Sequence, residues 1–398
     1  MSMHNDDAEG RPLASAAPLR ERIDAIDALR GLALFGVLLM NLETLFRVSL
    51  FRDFLPHGAE SHVDHAISTA LSIFVDLKAF AVFSLLFGIG LAIQHQRLQH
   101  HPARLMLLFR RLIVLLAFGL IHLYLIWNGD ILTEYAIAGL LALPFLYLPT
   151  RVVAVACAVL FGLYLAMPLL PQIVSLPDFD WMVHHVELAQ QVYGSGTFQE
   201  ILRFRIQEVP AIVPLLVMVF PRTLGLFLVG ILFSRIGLVR KAKERGLWLW
   251  ALAAVGIGSG LAASVSPFIG PASYGRLGAI IEHFATIALG VGYSCLVLAL
   301  ADMSAFRRML AVIAPLGRMA FTNYIAQSLL LGLIFYGYGF GLFGKISVTM
   351  GLVIAASIYV TQLVVSRWWL ERYRFGPLEW LWRALMYGNR PQMSVKEG

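Results

Sequence analysis

The segment GLIHLYLIWNGDILTEY, residues 119–135, carries ionisable and aromatic side chains within an apolar stretch. His122 falls about one and a half turns before the end of a predicted helix, and Asp130 lies in the tight turn that follows. An imidazole can act as a general base near neutral pH, and a neighbouring carboxylate can orient it. We therefore predict His122 and Asp130 as a catalytic pair, with Tyr135 as a substrate contact on the returning helix. The structural alternative is a packed histidine and an aspartate that caps that helix.

A second polar set, formed by Asp27, Arg30 and Asn41, lies on the first apolar segment. At ~100° per residue the three side chains fall within about 60° of one another, along a stripe ~21 Å long. Asp27 and Arg30 can form an ion pair, and Asn41 can form a hydrogen bond between helices. The pattern is equally typical of a ligand-binding face, so both roles stay open.

Two cations fall inside apolar segments, where a charged side chain costs ~2.5–3.5 kcal/mol on insertion scales. Lys78 begins the second segment, where its amine can either snorkel to the boundary or face a cavity. Arg222 lies near the middle of the sixth segment and needs an acidic partner, for which we predict Glu282. That pair is either a structural clamp or an anchor for an anionic substrate group.

Two amide side chains, Asn323 and Gln327, lie four residues apart on one face of the ninth apolar segment. Amides at this depth most often join helices by hydrogen bonds, which contribute ~0.6 kcal/mol each in measured membrane cases. The alternative is that they line a substrate cavity.

Membrane helices must position all of these residues. With 59% hydrophobic and 14% charged residues, the 398-residue chain has too few polar residues to cover a soluble globule. We predict an all-α, polytopic integral membrane protein with about ten transmembrane helices. The predicted spans are 28–45, 78–94, 108–127, 131–148, 152–170, 209–233, 247–265, 277–300, 311–336 and 346–370.

The distribution of Lys and Arg predicts the orientation of these spans. With the N-terminus in the cytoplasm, most of the 31 Lys and Arg residues fall in or beside cytoplasmic segments, which favours an N-in, C-in topology. The net charge of +7 follows from this bias, so the lipid bilayer is the expected partner and nucleic acid is not. The expected location is a bacterial inner membrane.

The chain divides into two predicted halves of about five helices each. We place a disordered cytoplasmic tail at 1–21, the halves at 22–170 and 209–388, a periplasmic loop at 171–208, and a second disordered tail at 389–398. Apolar residues at helical spacing over 377–387 predict a short amphipathic helix on the cytoplasmic interface. A lid or a partner-docking role is the alternative for this helix.

Other motifs of enzymes and metal sites are missing from the sequence. The loop histidines His57, His62 and His65 match no standard zinc spacing, so no metal is expected. We find no dinucleotide fingerprint, Walker loop, nucleophile elbow or HExxH helix in a fitting context, which disfavours nucleotide hydrolysis and the common hydrolases.

Several longer motifs carry a family resemblance. They are IDALRGLALFGVLLMN, KAFAVFSLLFGIG, GLIHLYLIWNGDILTEYAIAGLL, GRMAFTNYIAQS and YRFGPLEWLWRALMYG. From Arg22 to Tyr387 the chain is identified as a member of the YeiB-type bacterial inner-membrane family, whose C-terminal half is domain of unknown function 418. This family resembles, more distantly, membrane acyltransferases of the heparan N-acetyltransferase and acyltransferase-3 type. The shared start is Asp27, Arg30 and Asn41.

The resemblance implies transfer of an acyl group from a cytoplasmic thioester, acetyl-coenzyme A or another acyl-coenzyme A, to a glycan, lipid or small-molecule acceptor. No permanently bound cofactor is expected. His122 would then be the base and Asp130 its orienter, while the developing oxyanion would take a hydrogen bond from Lys78, Asn41 or Arg222. The phosphates of coenzyme A would be held by Arg110, Arg111 and Arg318.

Two other functions stay open at the level of the sequence. A permease or exporter of a small amphipathic solute could use Arg222, Glu282 and His122 as its substrate and proton site. A membrane protein without catalytic activity is the third possibility. The oligomeric state is not predicted.

Overall fold

A computed structural model describes residues 16–56, 61–170, 176–239, 244–269 and 275–395. These ranges form fourteen α-helices and no β-strand, with one isolated bridge between Tyr373 and Ser394. The prediction of an all-α fold is confirmed. The predicted tails and the predicted loop at 171–208 fall partly outside the described residues.

The first half of the chain contains the 119–135 segment, which spans the end of α4 and the start of α5. A wider, π-type turn at His122–Ile126 continues α4. The helices are α1 Ala16–Asn41, α2 His62–Phe74, α3 Lys78–Arg97, α4 Arg104–Ile121, α5 Leu132–Ala142, α6 Thr150–Ala166 and α7 Phe179–Ser195.

The helices of the second half include the longest helix, α8, which packs along α3. The predicted C-terminal helix over 377–387 is present with the same bounds. The helices are α8 Phe198–Arg235, α9 Gly246–Ile269, α10 Gly275–Leu300, α11 Ser304–Arg318, α12 Ala320–Phe335, α13 Val348–Arg372 and α14 Pro377–Tyr387.

In the described ranges, eight helical segments are long and apolar enough to cross a membrane, against the ten that the sequence predicts. The consecutive helices α11 and α12 would make a ninth, but they are bent by 71° where a single predicted span runs over 311–336. The predicted span over 131–148 contains only the 11-residue helix α5 and a short 3₁₀ turn at Pro144–Leu146. A straight crossing needs about 20 apolar residues, so α5 is too short to cross alone.

The 127–131 turn explains why α5 is short. Trp127, Asn128 and Asp130 are all buried, so the chain reverses inside the protein. Asn128 contacts α8, and the ring of Trp127 stacks on Phe46. The polar backbone of such a turn is tolerated at this depth because protein covers it.

Small residues allow the helices around the candidate site to pack closely. A Cβ at Gly88 of α3 would meet the backbone of Phe227 in α8, and a Cβ at Gly317 of α11 would meet the backbone of Asp27 in α1. Such glycine contacts are typical of helix pairs in membranes. They fix α1, α3 and α11 around a common space.

The two ends of the helix bundle differ in composition. The basic end carries the C-terminus of α3, the N-terminus of α4 and α14, which contact one another through Arg104, Gln94 and Met386. The covered end carries α7 and the first turns of α8, which lie over the 127–131 turn. The positive-inside bias predicts that the basic end is cytoplasmic.

Candidate functional site

His122 lies at the centre of the candidate site, and its side chain is fully buried. Its Nδ1 is 2.8 Å from Oδ1 of Asp130, and its Nε2 is 2.9 Å from Oγ of Ser328 on α12. The ring also packs against Tyr324, with 5.1 Å between the ring centroids. The predicted pair is therefore formed, with a hydroxyl on the far side of the imidazole.

Asp130 contacts His122 and also caps the start of α5. Its Oδ1 accepts the backbone N–H of Leu132 at 3.1 Å, and its Oδ2 accepts the N–H of Thr133 at 2.7 Å, in the first turn of α5. Because both oxygens already accept N–H donors, the Nδ1 of His122 is the donor in the His122–Asp130 bond. The remaining nitrogen, Nε2, is then free to accept a proton.

A cavity of about 480 Å³ extends from the basic end toward this pair. It follows α1 from Ile26 to Val37, a rise of ~16 Å, so it reaches well into the bundle. Its lining includes Tyr324 and Ile131, and the N–H of Ile131 donates to Oη of Tyr324 at 3.4 Å. His122 does not line the cavity, since the ring of Tyr324 lies between.

The cavity is electropositive toward the basic end. Its carboxylates are Asp27, which pairs with Arg30 at 2.8 Å, and Glu379. The guanidinium of Arg111 stacks 4.4 Å from the ring of Trp382 and donates to the side chain of Gln94. The arginines that line the cavity are Arg30, Arg97, Arg111, Arg318, Arg374 and Arg383.

Helix α14 forms one wall of this cavity. Glu379 accepts the backbone N–H groups of Phe321 at 2.8 Å and Thr322 at 3.1 Å, and the hydroxyl of Thr322 at 2.5 Å. Burial raises the pKa of Glu379, while its hydrogen bonds from Thr322 and Phe321 lower it. The Nε1 of Trp382 donates to the carbonyl of Arg111 at 2.9 Å. These contacts hold α14 against α12 and α4, and its lid or partner-docking role stays a prediction.

Of the remaining predicted residues, five line the cavity: Asp27, Arg30, Arg111, Arg318 and Tyr135. The hydroxyl of Tyr135 donates to the carbonyl of Phe80 at 2.8 Å, which fixes its ring in the wall. Arg110 is exposed and does not line the cavity, so it is not placed to bind the same ligand as Arg111.

The predicted oxyanion donors lie outside the cavity lining. Lys78 is buried and its Nζ donates to the carbonyl of Ser72 at 2.5 Å. Asn41 is buried at the other end of α1 from Asp27. Neither side chain is placed to contact a ligand in this cavity.

The predicted Arg222–Glu282 pair is wrong. Both residues are described, and no ion pair joins them, because Glu282 lies on an exposed face of α10 while Arg222 is buried. The guanidinium lies 5.6 Å from the ring centroid of Tyr164, and its Nε and Nη1 have no hydrogen-bond partner in the described ranges. Glu134 is an acid within electrostatic reach of this buried cation.

The amides of α12 join it to α13. Nδ2 of Asn323 donates to Oγ of Ser366 at 2.9 Å, and Nε2 of Gln327 donates to Oε1 of Gln362 at 2.8 Å. Neither Asn323 nor Gln327 lines the cavity. These contacts agree with the structural alternative for both residues.

A second histidine–carboxylate pair lies at the covered end. Nε2 of His185 is 2.7 Å from Oε1 of Glu208, whose Oε2 accepts the hydroxyl of Tyr193 at 2.6 Å and Nδ2 of Asn128 at 2.5 Å. These bonds join α7, α8 and the 127–131 turn. In the described ranges no group of three or more His, Cys, Asp or Glu residues is placed to hold a metal; His57 lies outside them.

Sequence reasoning missed two residues of the site, Tyr324 and Ser328. Both belong to the GRMAFTNYIAQS motif and lie four residues apart, so the sequence indicates that they share a helical face. The sequence does not predict that this face contacts His122, because the contact is between residues far apart in the chain; Ser328 lies 206 positions from His122. Arg97, Arg374 and Arg383 also line the cavity, and the sequence did not predict them as site residues.

Relatives cover nearly the whole chain. The uncharacterised protein YxaH of Bacillus subtilis (strain 168) is 32% identical over 401 residues, which are 92% of this chain and 94% of YxaH. The family described as "Protein of unknown function (DUF418)" matches residues 233–389. The chain belongs to the DUF418 family. Within it, Ser328 and Glu379 lie in the matched region.

Two further relatives of this DUF418 chain cover it as fully. An uncharacterised 39.9 kDa protein in the amylase 3' region of Bacillus acidopullulyticus is 29% identical over 95% of this chain and 98% of its own length. The uncharacterised protein YeiB of Escherichia coli (strain K12) is 26% identical over 92% of this chain and 96% of its own length. No solved structure matches the chain.

Proposed function

We propose that this DUF418 protein is an inner-membrane acyltransferase that moves an acyl group from a cytoplasmic acyl thioester to a cell-envelope acceptor. The observation that carries this proposal is a cavity that has arginines at one end. At the other end the ring of Tyr324 separates the cavity from the buried pair of His122 and Asp130. The positive-inside bias favours a cytoplasmic position for these arginines, which supports a cytoplasmic acyl thioester as the donor.

The cavity matches the chemistry of an acyl-coenzyme A. Guanidinium groups bind phosphates through charge-assisted hydrogen bonds, and Arg97, Arg111 and Arg318 are available for this at the basic end. The deeper part is apolar and aromatic, with Leu34 and Val37 among its lining residues, and suits an acyl group. The acyl-coenzyme A is a co-substrate here and not a resident cofactor.

His122 and Asp130 then act as a base and its orienter. Nε2 of His122 takes the proton from the nucleophilic hydroxyl or amine, and Asp130 holds the Nδ1–H tautomer and stabilises the imidazolium. Tyr324 has to turn aside before an acyl group can reach His122. That movement breaks its 3.4 Å contact with Ile131 and frees a backbone N–H, at the start of α5, to donate to the developing oxyanion.

The permease alternative depended on a buried pair of Arg222 and Glu282, and that pair is not formed. The acceptor in the proposed reaction is a glycan, a lipid or a small molecule that carries a hydroxyl or an amine. Nucleic acid is not part of the proposal.

The experiment uses the full chain in detergent with acetyl-coenzyme A labelled in its acetyl group. We expect the wild-type protein to bind the thioester and to release free coenzyme A, through transfer to an acceptor or to water. His122→Ala should keep the binding and lose the release, whereas His185→Ala should keep both. If wild type shows no thioester binding at any pH, or His122→Ala releases coenzyme A at the wild-type rate, the proposal is wrong.

A further inference from the structure

Ser328 completes a continuous hydrogen-bonded chain with the histidine and the aspartate. Its Oγ is 2.9 Å from Nε2 of His122, whose Nδ1 is 2.8 Å from Asp130, and all three side chains are buried. A serine, a histidine and an acid in this order are recognised by geometry and not by position in the sequence. The arrangement is the one that activates a serine hydroxyl for attack on an acyl carbon.

The hydroxyl of Ser328 departs from the usual behaviour of helical serines in this protein. Five other serines donate to the carbonyl four residues earlier, over 2.7–2.9 Å. Ser328 is 3.3 Å from the corresponding carbonyl of Tyr324 and closer to His122. Because Nδ1 of His122 carries the proton shared with Asp130, Nε2 has a lone pair, and the hydroxyl of Ser328 donates to it.

Ser328 also lies close to the cavity. It is one helical turn beyond Tyr324, which lines the cavity. The same movement of Tyr324 that opens the way to His122 would therefore expose Ser328 to a bound acyl group.

We propose that Ser328 is the nucleophile of the reaction and that transfer runs through an acyl-enzyme. This inference rests on the proposed function. In the first half-reaction Oγ of Ser328 attacks the thioester carbonyl carbon, a C–O bond forms, and the hydroxyl proton moves to Nε2 of His122. The C–S bond then breaks, and the leaving thiolate takes that proton and departs as free coenzyme A.

The second half-reaction returns the enzyme to its starting state. The acceptor hydroxyl or amine attacks the serine ester, and its proton moves to His122. The C–O bond to Ser328 breaks, and Oγ takes the proton back from the imidazolium. No electrons are exchanged with a further reactant, so the reaction is complete with a thioester and an acceptor alone.

The experiment is acid quenching of the full chain after mixing with labelled acetyl-coenzyme A and no acceptor. We expect a burst of free coenzyme A equal to the amount of enzyme, and one label per chain located by peptide mass spectrometry at Ser328. Ser328→Ala should bind the thioester but lose the burst and the label, and Ser328→Cys should recover a label, now as a thioester that hydroxylamine removes. Ser294→Ala is the matched control, because Ser294 is also buried and helical but bonds only its own helix.

The outcomes distinguish a failure of the acyl-enzyme inference from a failure of the proposed acyltransferase function. If wild type transfers acetyl groups and Ser328→Ala does so at the same rate, the acyl-enzyme is wrong and direct transfer through His122 stands. A label on another residue with the same rate constant as transfer also overturns the inference. If wild type neither binds nor cleaves the thioester, both proposals fall.

Discussion

His122–Asp130 and His185–Glu208 are chemically similar pairs with very different surroundings. Asp130 takes part in the first turn of α5, and the second nitrogen of His122 meets a hydroxyl beside a cavity wall. The ring of His185 is stacked between Trp181 at 4.4 Å and Phe204 at 5.1 Å. Glu208 accepts two further donors, from Tyr193 and Asn128, which belong to different elements.

Under the proposed function, this difference explains why His122–Asp130 is assigned to the reaction and His185–Glu208 is not. A carboxylate shared among several donors holds elements together, and an imidazole stacked on both faces has no room for a substrate. The pair at His122 instead leaves one nitrogen for proton transfer, next to a space that a ligand can enter. We therefore expect mutations at the two pairs to have different effects on activity and stability.

The largest effect is expected for Asp130→Asn. The amide oxygen can still accept the N–H of Thr133, while the NH₂ group that replaces Oδ1 can donate to Nδ1 of His122, which favours the tautomer that cannot accept a proton at Nε2. The rate of acyl transfer should fall by ~10³–10⁴-fold. The thermal midpoint of unfolding should also fall, because the N–H of Leu132 loses its acceptor, at a cost of ~1–3 kcal/mol. Steady-state release of coenzyme A and a thermal melt of the same sample measure both. Unchanged activity would remove Asp130 from the mechanism.

The matched change at the other pair, Glu208→Gln, should act on stability. The substitution puts an amide NH₂ group in place of a carboxylate oxygen that accepts buried donors, which costs ~2–3 kcal/mol of unfolding free energy. Denaturation in detergent should show a lower midpoint, with acyl transfer per folded molecule unchanged. If Glu208→Gln loses activity without losing stability, the two pairs do not differ in function as we propose.

A smaller effect should separate two neighbouring arginines. Arg111 lines the cavity and Arg110 does not. Loss of one charge-assisted contact to a phosphate is worth ~1.5–3 kcal/mol, so Arg111→Ala should raise the KM for acetyl-coenzyme A by at least ~10-fold with a similar kcat. Arg110→Ala is the control and should leave KM as it is. Equal effects would mean that general positive charge, and not the cavity, attracts the thioester.

The smallest effect concerns pH and the docking of α14. The pKa of Glu379 is raised above the ordinary 4.5 by burial, so its contribution to docking is complete below that value and is lost as pH rises through the raised pKa. Hydrogen exchange of residues 377–387 should therefore become faster with pH beyond the intrinsic rate increase. Glu379→Gln, which stays neutral, should show only the intrinsic increase of the exchange rate with pH. If exchange in Glu379→Gln exceeds the intrinsic rate increase as much as in wild type, this explanation is wrong.

Local patterns in the sequence predicted what depends on nearby residues. Pro377 and the apolar spacing after it predicted the bounds of α14, and His122 and Asp130 lie only eight residues apart across one turn. The helical fold followed from the apolar segments because a bilayer requires backbone groups to pair within each segment.

The sequence did not predict the features that depend on which helix faces contact one another. The contact between His122 and Ser328 joins α12 to the end of α4, and the rotation of α10 decides that Glu282 faces away from Arg222. The length of α5 was also missed, because an apolar run over 131–148 does not reveal that the preceding turn is buried inside the protein. Pro144 was the available signal for its end.

The bend of 71° between α11 and α12 separates the residues near the cavity entrance from those that contact His122. Arg318 lies at the end of α11 and borders the entrance, whereas Ser328 belongs to α12, which Asn323 and Gln327 tie to α13. Substitutions in α11 can therefore widen or recharge the entrance without shifting the serine or the histidine. In the proposed reaction, ligand binding at the entrance would depend on α11 and bond formation on α12, so a substitution in α11 would change the ligand without changing the reaction.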